Sequence, residues 1–137
     1  MTAIIDRLRD GLLYRGGPGH WNFLIHRFAG LGTLAFLTIH ILDTATVYFY
    51  PSLYDHAIAL YRTPLFMIGE IILIGCIFFH GVNGLKIILF DYVPGLWTIE
   101  NERKSLPVVY AVTLGLWLPS AAYMLRHVFM AASGSAH

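Results

Sequence analysis

Three long apolar stretches constrain this chain more than anything else in it. They run from about Trp21 to Tyr50, from about Pro64 to Phe90, and from about Pro107 to between Leu125 and Val128. Each is long enough to cross a bilayer as an α-helix, which takes ~20 mostly apolar residues. Hydrocarbon offers backbone N–H and C=O groups no partner, so spanning segments are helices or closed barrels. No segment alternates apolar and polar residues long enough for a barrel. Hydrophobic residues make up 57% of the chain and charged residues 12%, against about 25% charged in an ordinary soluble domain. The expected fold class is an all-α membrane protein, with three transmembrane helices in one bundle.

The organisation follows. Residues 1–20 form an N-terminal cytoplasmic segment, 21–130 the three-helix anchor (spans about 21–50, 64–90 and 107–128), and 131–137 a tail. In the first segment Ile4, Ile5, Leu8 and Leu12 recur at helical spacing among Arg7, Arg9 and Asp10, which predicts an amphipathic helix for the membrane surface or for docking a peripheral partner. Asp6 and Asp10, with no long apolar core, argue against a cleavable signal or transit peptide. Tyr50-Pro51-Ser52 ends the first span, and the stretch to Pro64 reads as a connection. Ser105 before Pro107 reads as a helix start, since proline suits the first turn. Cys76 stands alone, so there is no disulfide framework. A net charge of +1 with no basic tract gives no support to nucleic-acid binding.

Lys and Arg set the expected orientation. Arg7, Arg9, Arg15, Arg27, Lys86, Arg103 and Lys104 fall on one side, and Arg62 and Arg126 on the other. The excess places the N-terminus and the second loop in the cytoplasm.

Ionisable residues inside the spans are costly to insert, by about 2.5–3.5 kcal/mol each on translocon scales, and persist where they bind something or line a cavity. On the first span His26, Gly30, Thr33, Leu37, His40 and Thr44 share a face. On the second, Gly69, Leu73, Cys76, His80, Gly84, Ile87 and Asp91 do the same. Counting inward from Asp91 and Arg27 at 1.5 Å per residue puts His80 ~16 Å deep and His40 ~20 Å deep. His80 and His40 are thus expected in one deep tier. Neutral imidazoles there suit axial ligation of a haem b iron, and no C-x-x-C-H attachment motif is present. His26, Arg27, Asp91 and Tyr92 are expected in a shallow tier that could hold haem propionates or a quinone and exchange protons. A plainer alternative is that the histidines only bond helix to helix and Arg27 only anchors the span at the surface. Asp43 is expected to orient His40, Lys86 to snorkel from the helix end, Glu70 to sit at the outer interface, and the third span to serve packing and lipid contact.

Two motifs now carry a resemblance. His26-Arg27-Phe28-Ala29-Gly30 opens the first span, and His80, Gly84 and Asp91 form H-x3-G-x6-D at the end of the second. The chain resembles the cytochrome b membrane-anchor subunit of bacterial succinate dehydrogenase. Leu13-Tyr14-Arg15-Gly16-Gly17, Gly19-His20-Trp21 and Tyr61-Arg62-Thr63-Pro64-Leu65 are closest to the Thermus-like and actinobacterial types. Residues 12 to 97 carry the likeness, and the third span matches only as a span.

The resemblance implies that His80 is one axial ligand of haem b, that a sister anchor subunit supplies the second, and that His26 and Arg27 border the propionates and the quinone pocket. It implies an iron–sulfur subunit and a flavoprotein as further partners, menaquinone or ubiquinone as acceptor, and a bacterial cytoplasmic membrane location. A trimer of heterotetramers is one higher assembly it leaves open. The chain departs from the family pattern at Phe23, where many members have serine, and at Gly84-Leu85-Lys86-Ile87, where many read G-x-R-H; the quinone and propionate contacts of those residues are not implied here. A fumarate reductase anchor, a two-haem bundle using His40 or His26, and a haem-free structural protein remain the alternatives.

Overall fold

The computed structural model describes residues 2–13 and 17–134, leaving aside the side chains at 2, 3, 8, 11–13, 18, 127, 128 and 131–134. Residues 14–16, which include Arg15 of the orientation argument and part of the resemblance, lie outside the described residues, as do 135–137 of the expected tail. Leu8 and Leu12 of the N-terminal stripe have no described side chain; Ile4 and Ile5 of that stripe are exposed.

Among the described residues five helices follow one another: α1 Thr2–Leu13, α2 Pro18–Phe49, α3 Pro51–Tyr61, α4 Pro64–Tyr92 and α5 Ile99–Gly134. No strand occurs among the described residues. Proline sets three of the starts. Pro18, Pro51 and Pro64 each stand in the first helical turn, where their missing N–H costs nothing and their fixed φ is already helical. The preceding residues, Gly17, Tyr50 and Thr63, are held out of the helical region, as the bulk of a following proline ring requires. The α4–α5 connection is a tight turn. The Leu96 amide donates to the Val93 carbonyl at 3.3 Å, with Pro94 second and Gly95 third at φ +87°, the type II pattern that demands glycine at that position.

Helices α2, α4 and α5 contain three stretches long and apolar enough to cross a membrane, Gly19–Phe49, Pro64–Tyr92 and Ile99–Arg126. Their large apolar side chains point outward: Phe28, Leu31, Leu34, Leu65, Ile72 and Leu85 are all exposed. In water that surface would be untenable. In lipid it is what a spanning helix should present. The chain is a multi-pass all-α membrane protein.

Two expectations change. The stretch from Pro51 to Tyr61 is a helix rather than a plain connection. The helix of the third span, α5, begins at Ile99, so Pro107 lies inside it. Thr98 supplies the start: its Oγ1 accepts the Asn101 amide at 3.1 Å, and Glu100 and Glu102 sit in the first turn, where the helix dipole favours them. The proline signal was real, but a cap with two acids nine residues upstream provides the earlier start.

Helix α4 is central, packing against both α2 and α5. Ala29, Phe79 and Val109 form the core where the three meet, with Cys76 and Val82 against them. Phe79 also stacks on Tyr110 at 5.7 Å. At the other end of the α4–α5 contact the Trp117 indole N–H donates to the Ile71 carbonyl at 2.8 Å. A Cβ on Gly75 would lie 3.0 Å from that indole nitrogen, so glycine is what lets the ring in. We expect Trp117→Phe to weaken the bundle by about 0.5–1.5 kcal/mol through the lost hydrogen bond. Gly75→Leu should cost more, because the ring must move. Unfolding midpoints in detergent measure both, and unchanged midpoints would show that this contact holds nothing together.

Candidate functional site

The antiparallel meeting of α2 and α4 builds the site. Asn22 Nδ2 donates to Asn83 Oδ1 at 2.9 Å. One turn further along, the His26 and His80 imidazoles stack with centroids 4.3 Å apart and planes 6° from parallel. Beyond them a Cβ on Gly30 would meet His80 Cε1 at 2.8 Å and Nδ1 at 3.0 Å. Further still, a Cβ on Gly32 would lie 3.5 Å from Cys76 Sγ. Each step along α2 is matched by a step back along α4.

This register separates residues that the sequence reading joined. His80 faces His26, not His40. His40 lies fourteen residues past His26, ~21 Å along the axis. It is exposed, stacked on Phe36 at 5.7 Å, and lines a different cavity. The single deep tier of His80 and His40 is therefore corrected. The depth count took Arg27 and Asp91 as one level, but α4 continues eleven residues, ~16 Å, past His80. The shallow tier is corrected for the same reason. Asp91 and Tyr92 are exposed at the far end of α4, and Asp91 accepts the Trp97 indole N–H at 2.8 Å. Arg27 stays on the α2 surface next to His26, its guanidinium 5.1 Å from the Phe23 ring centroid. Phe23, the departure from the family's serine, thus gives that cation an aromatic face.

The His80 ring is held in one orientation. Its Nδ1 lies 3.3 Å from the His26 carbonyl oxygen. A carbonyl can only accept, so Nδ1 carries the proton and Nε2 keeps its lone pair. A carbonyl that fixes the tautomer in this way is the usual support of a metal-ligating histidine. Gly30 is the cradle for the ring, and a Cβ on Gly84, one turn along α4, would meet nothing within 4 Å. Among the described residues, His26 Nδ1 is buried with no hydrogen-bond partner, as is Asn22 Oδ1. The residues present fit a haem ligated by His80: an oriented imidazole with a free ring nitrogen, glycine relief beside it, and an adjacent cation. Asn22 and Asn83 received no role from the sequence, although Asn83 lies inside the His80–Gly84 string. An amide in the middle of a span was the available signal.

Toward the α4 C-terminus the Lys86 side chain is only 8% exposed, its Nζ 3.9 Å from Glu102 Oε1 and 5.6 Å from the Phe90 ring centroid. The expected snorkelling to water does not occur. Because α5 starts at Ile99, Glu102 reaches α4 and pairs with the lysine. Glu102 and Arg103 also line a cavity of about 640 Å³ with Gly19 and His20.

The other end of α2 holds a second polar group. Tyr61, at the end of α3, donates its hydroxyl to the Asp43 carboxylate. His40, Asp43, Tyr61 and Glu70 line a cavity of about 490 Å³ with Phe36 and Phe66. Asp43 therefore ties α3 to α2, and among the described residues no hydrogen bond joins it to His40. Glu70 is half-buried on this cavity rather than at an open interface.

The fold and these contacts define a class: a multi-pass helical bundle that holds an oriented imidazole between two spans. The family described as succinate dehydrogenase/fumarate reductase transmembrane subunit matches residues 8–118. The succinate dehydrogenase 2 membrane subunit SdhC of Mycobacterium tuberculosis is 33% identical over 119 residues, which are 85% of each chain. The chain belongs to the succinate dehydrogenase/fumarate reductase transmembrane subunit family. It is a membrane-anchor subunit of an oxidoreductase complex, and the other subunits of that complex are its partners.

The Asp43 carboxylate, by holding the Tyr61 proton, and burial together push the Tyr61 hydroxyl up to about 12 from its ordinary 10.0. A raised folded-state value means this contact contributes fully below the unfolded value and is lost as pH rises through the folded one. The stabilising effect should therefore fade between pH 10 and about 12. In an ultraviolet titration of tyrosinate, Asp43→Asn should bring one tyrosine back toward its ordinary value. A curve identical to that of the unmodified protein would contradict this.

Proposed function

We propose that this chain anchors a bacterial succinate dehydrogenase, ligates haem b through His80, and helps pass electrons from the iron–sulfur subunit to quinone. The observation that carries this reading is the His80 ring: Nδ1 against the His26 carbonyl at 3.3 Å, with Gly30 making room for the ring. That arrangement leaves Nε2 as the ligating atom. The second ligand would come from a sister anchor subunit, as the family resemblance implies; His26, stacked face to face on His80, would instead pack against the ligating ring. When bound, haem b supplies a one-electron carrier between the iron–sulfur clusters and the quinone site.

Each residue has a task in this proposal. His80 orients and holds the iron. His26 shields one face of the His80 ring and anchors it through its own carbonyl. Arg27 provides a cation for propionates or for a quinone oxygen. Asp91 and Tyr92, exposed at the end of α4, belong to the surface that meets the soluble subunits rather than to the imidazole tier. His40 lines the opposite cavity. No residue of this chain oxidises succinate; that chemistry belongs to the flavoprotein, which the iron–sulfur subunit connects to this anchor. The N-terminus and the α4–α5 turn face the cytoplasm of the bacterial cell, in line with the excess of Lys and Arg there. Electrons run from succinate to menaquinone or ubiquinone; a fumarate reductase anchor would be the same arrangement run in reverse.

In a complex purified with its native partners, His80→Ala should remove or displace the haem band of the dithionite-minus-oxidised spectrum, while His40→Ala should leave it in place. An unaltered spectrum from a fully assembled His80→Ala complex would end the assignment. Haem counting should give one per complex. Two would bring His40 or His26 into the ligand set.

A further inference from the structure

We propose that Asn22 and Asn83 are positioning residues: their buried amide bond fixes the rotation of α4 against α2 and so fixes the orientation of the His80 imidazole. The effect on haem rests on His80 being its ligand, whereas the effect on the ring itself does not.

Four observations support this. Asn83 is 1% exposed and Asn22 3%, so both amides are removed from lipid and from water. Asn83 is the one described side chain under 2% exposed. The bond lies three residues from His80 on α4 and four from His26 on α2, one helical turn from the stacked rings. The surrounding contacts are apolar and forgiving: Ala29, Phe79 and Val82 could pack in several rotations, because dispersion has little direction.

A directional bond between two buried amides admits one rotation. Turning α4 by a single residue swings its side chains by about 100°. That would carry the Asn83 amide into apolar surroundings with no partner. It would also take His80 Nδ1 off the His26 carbonyl. A single buried asparagine sets the register of otherwise apolar helix pairs in the same way. The polar pair thus specifies where the imidazole points, a task that packing alone leaves loose. Gly30 completes the arrangement, since the ring approaches α2 too closely for any side chain there.

The test uses the purified complex. In Asn83→Leu the largest g value of the ferric haem, which reports the axial imidazole orientation, should shift or broaden while haem content falls less than in His80→Ala. Asn22→Ala should act in the same direction. The double variant Asn22→Leu/Asn83→Leu should recover thermal stability but not the original g value, because two leucines restore packing without direction. Recovery of the wild-type g value in the double variant, or no shift in either single variant, would overturn the proposal. If Asn83→Leu does not assemble, Asn83→Ser decides the matter by the same readout. The nitrogen resonance of the His80 Nδ1–H in the diamagnetic ferrous state reads the ring independently and should weaken in the single variants. A wild-type complex that contains no haem would remove the ligand reading; the His80 Nδ1–H resonance, read directly in that iron-free complex and its Asn83→Leu variant, would then decide the positioning role.

Discussion

The register of α2 against α4 is the constraint on which the rest depends. Two antiparallel apolar helices in lipid have no hydrophobic reason to prefer one offset over another, since lipid tails are as apolar as leucine. Direction has to come from polar groups and from places where the backbones approach closely. Here the Asn22–Asn83 amide pair, the His80–His26 carbonyl contact and the Gly30 cradle all select the same offset. An amide pair buried in a span is worth only about 0.6 kcal/mol on average, yet an amide left without its partner costs about 1–3 kcal/mol. That asymmetry explains how a modest bond can select one arrangement.

Helix α4 carries the site because it is held on both sides. On one side it meets α2 through the imidazoles. On the other it meets α5 through Phe79, Val109, the Trp117–Ile71 bond and the Lys86–Glu102 pair. The third span does the packing expected of it: it fixes the far face of the helix that presents His80. The Lys86–Glu102 pair shows why a charge near a span end cannot be assigned from its position alone. A lysine with a lipid-facing neighbourhood reaches for water, whereas one with a carboxylate brought in by another helix stays buried.

The bundle has two polar regions of different character, one at each end of α2. The region around His26 and His80 has oriented ring nitrogens and an adjacent arginine, suited to holding a planar anionic cofactor. The region around His40, Asp43, Tyr61 and Glu70 is an apolar cavity of about 490 Å³ with acids at its edge. There the Tyr61–Asp43 bond fastens α3, the helix hidden in the stretch that reads as a connection, to the end of α2. About four helical turns separate the two regions, and the fold assigns His40 to the second.

The sequence by itself determined the class of fold, the approximate spans and the faces on which the histidines lie. Those follow from apolar run length and from a 3.6-residue period, both local properties of the chain. The motifs around His26 and His80 were equally legible, because the residue types and spacing that carry the chemistry are contiguous. Only the tertiary structure decided which histidine faces which. Periodicity tells on what side of a helix a residue lies, but not how far one helix slides along another. That offset is decided by contacts such as Asn22 with Asn83 and Gly30 with His80, between residues fifty or more positions apart. The burial of Lys86 was decided in the same way, by a carboxylate it meets only after the helices pack, whereas the early start of α5 at Ile99 comes from a local cap at Thr98.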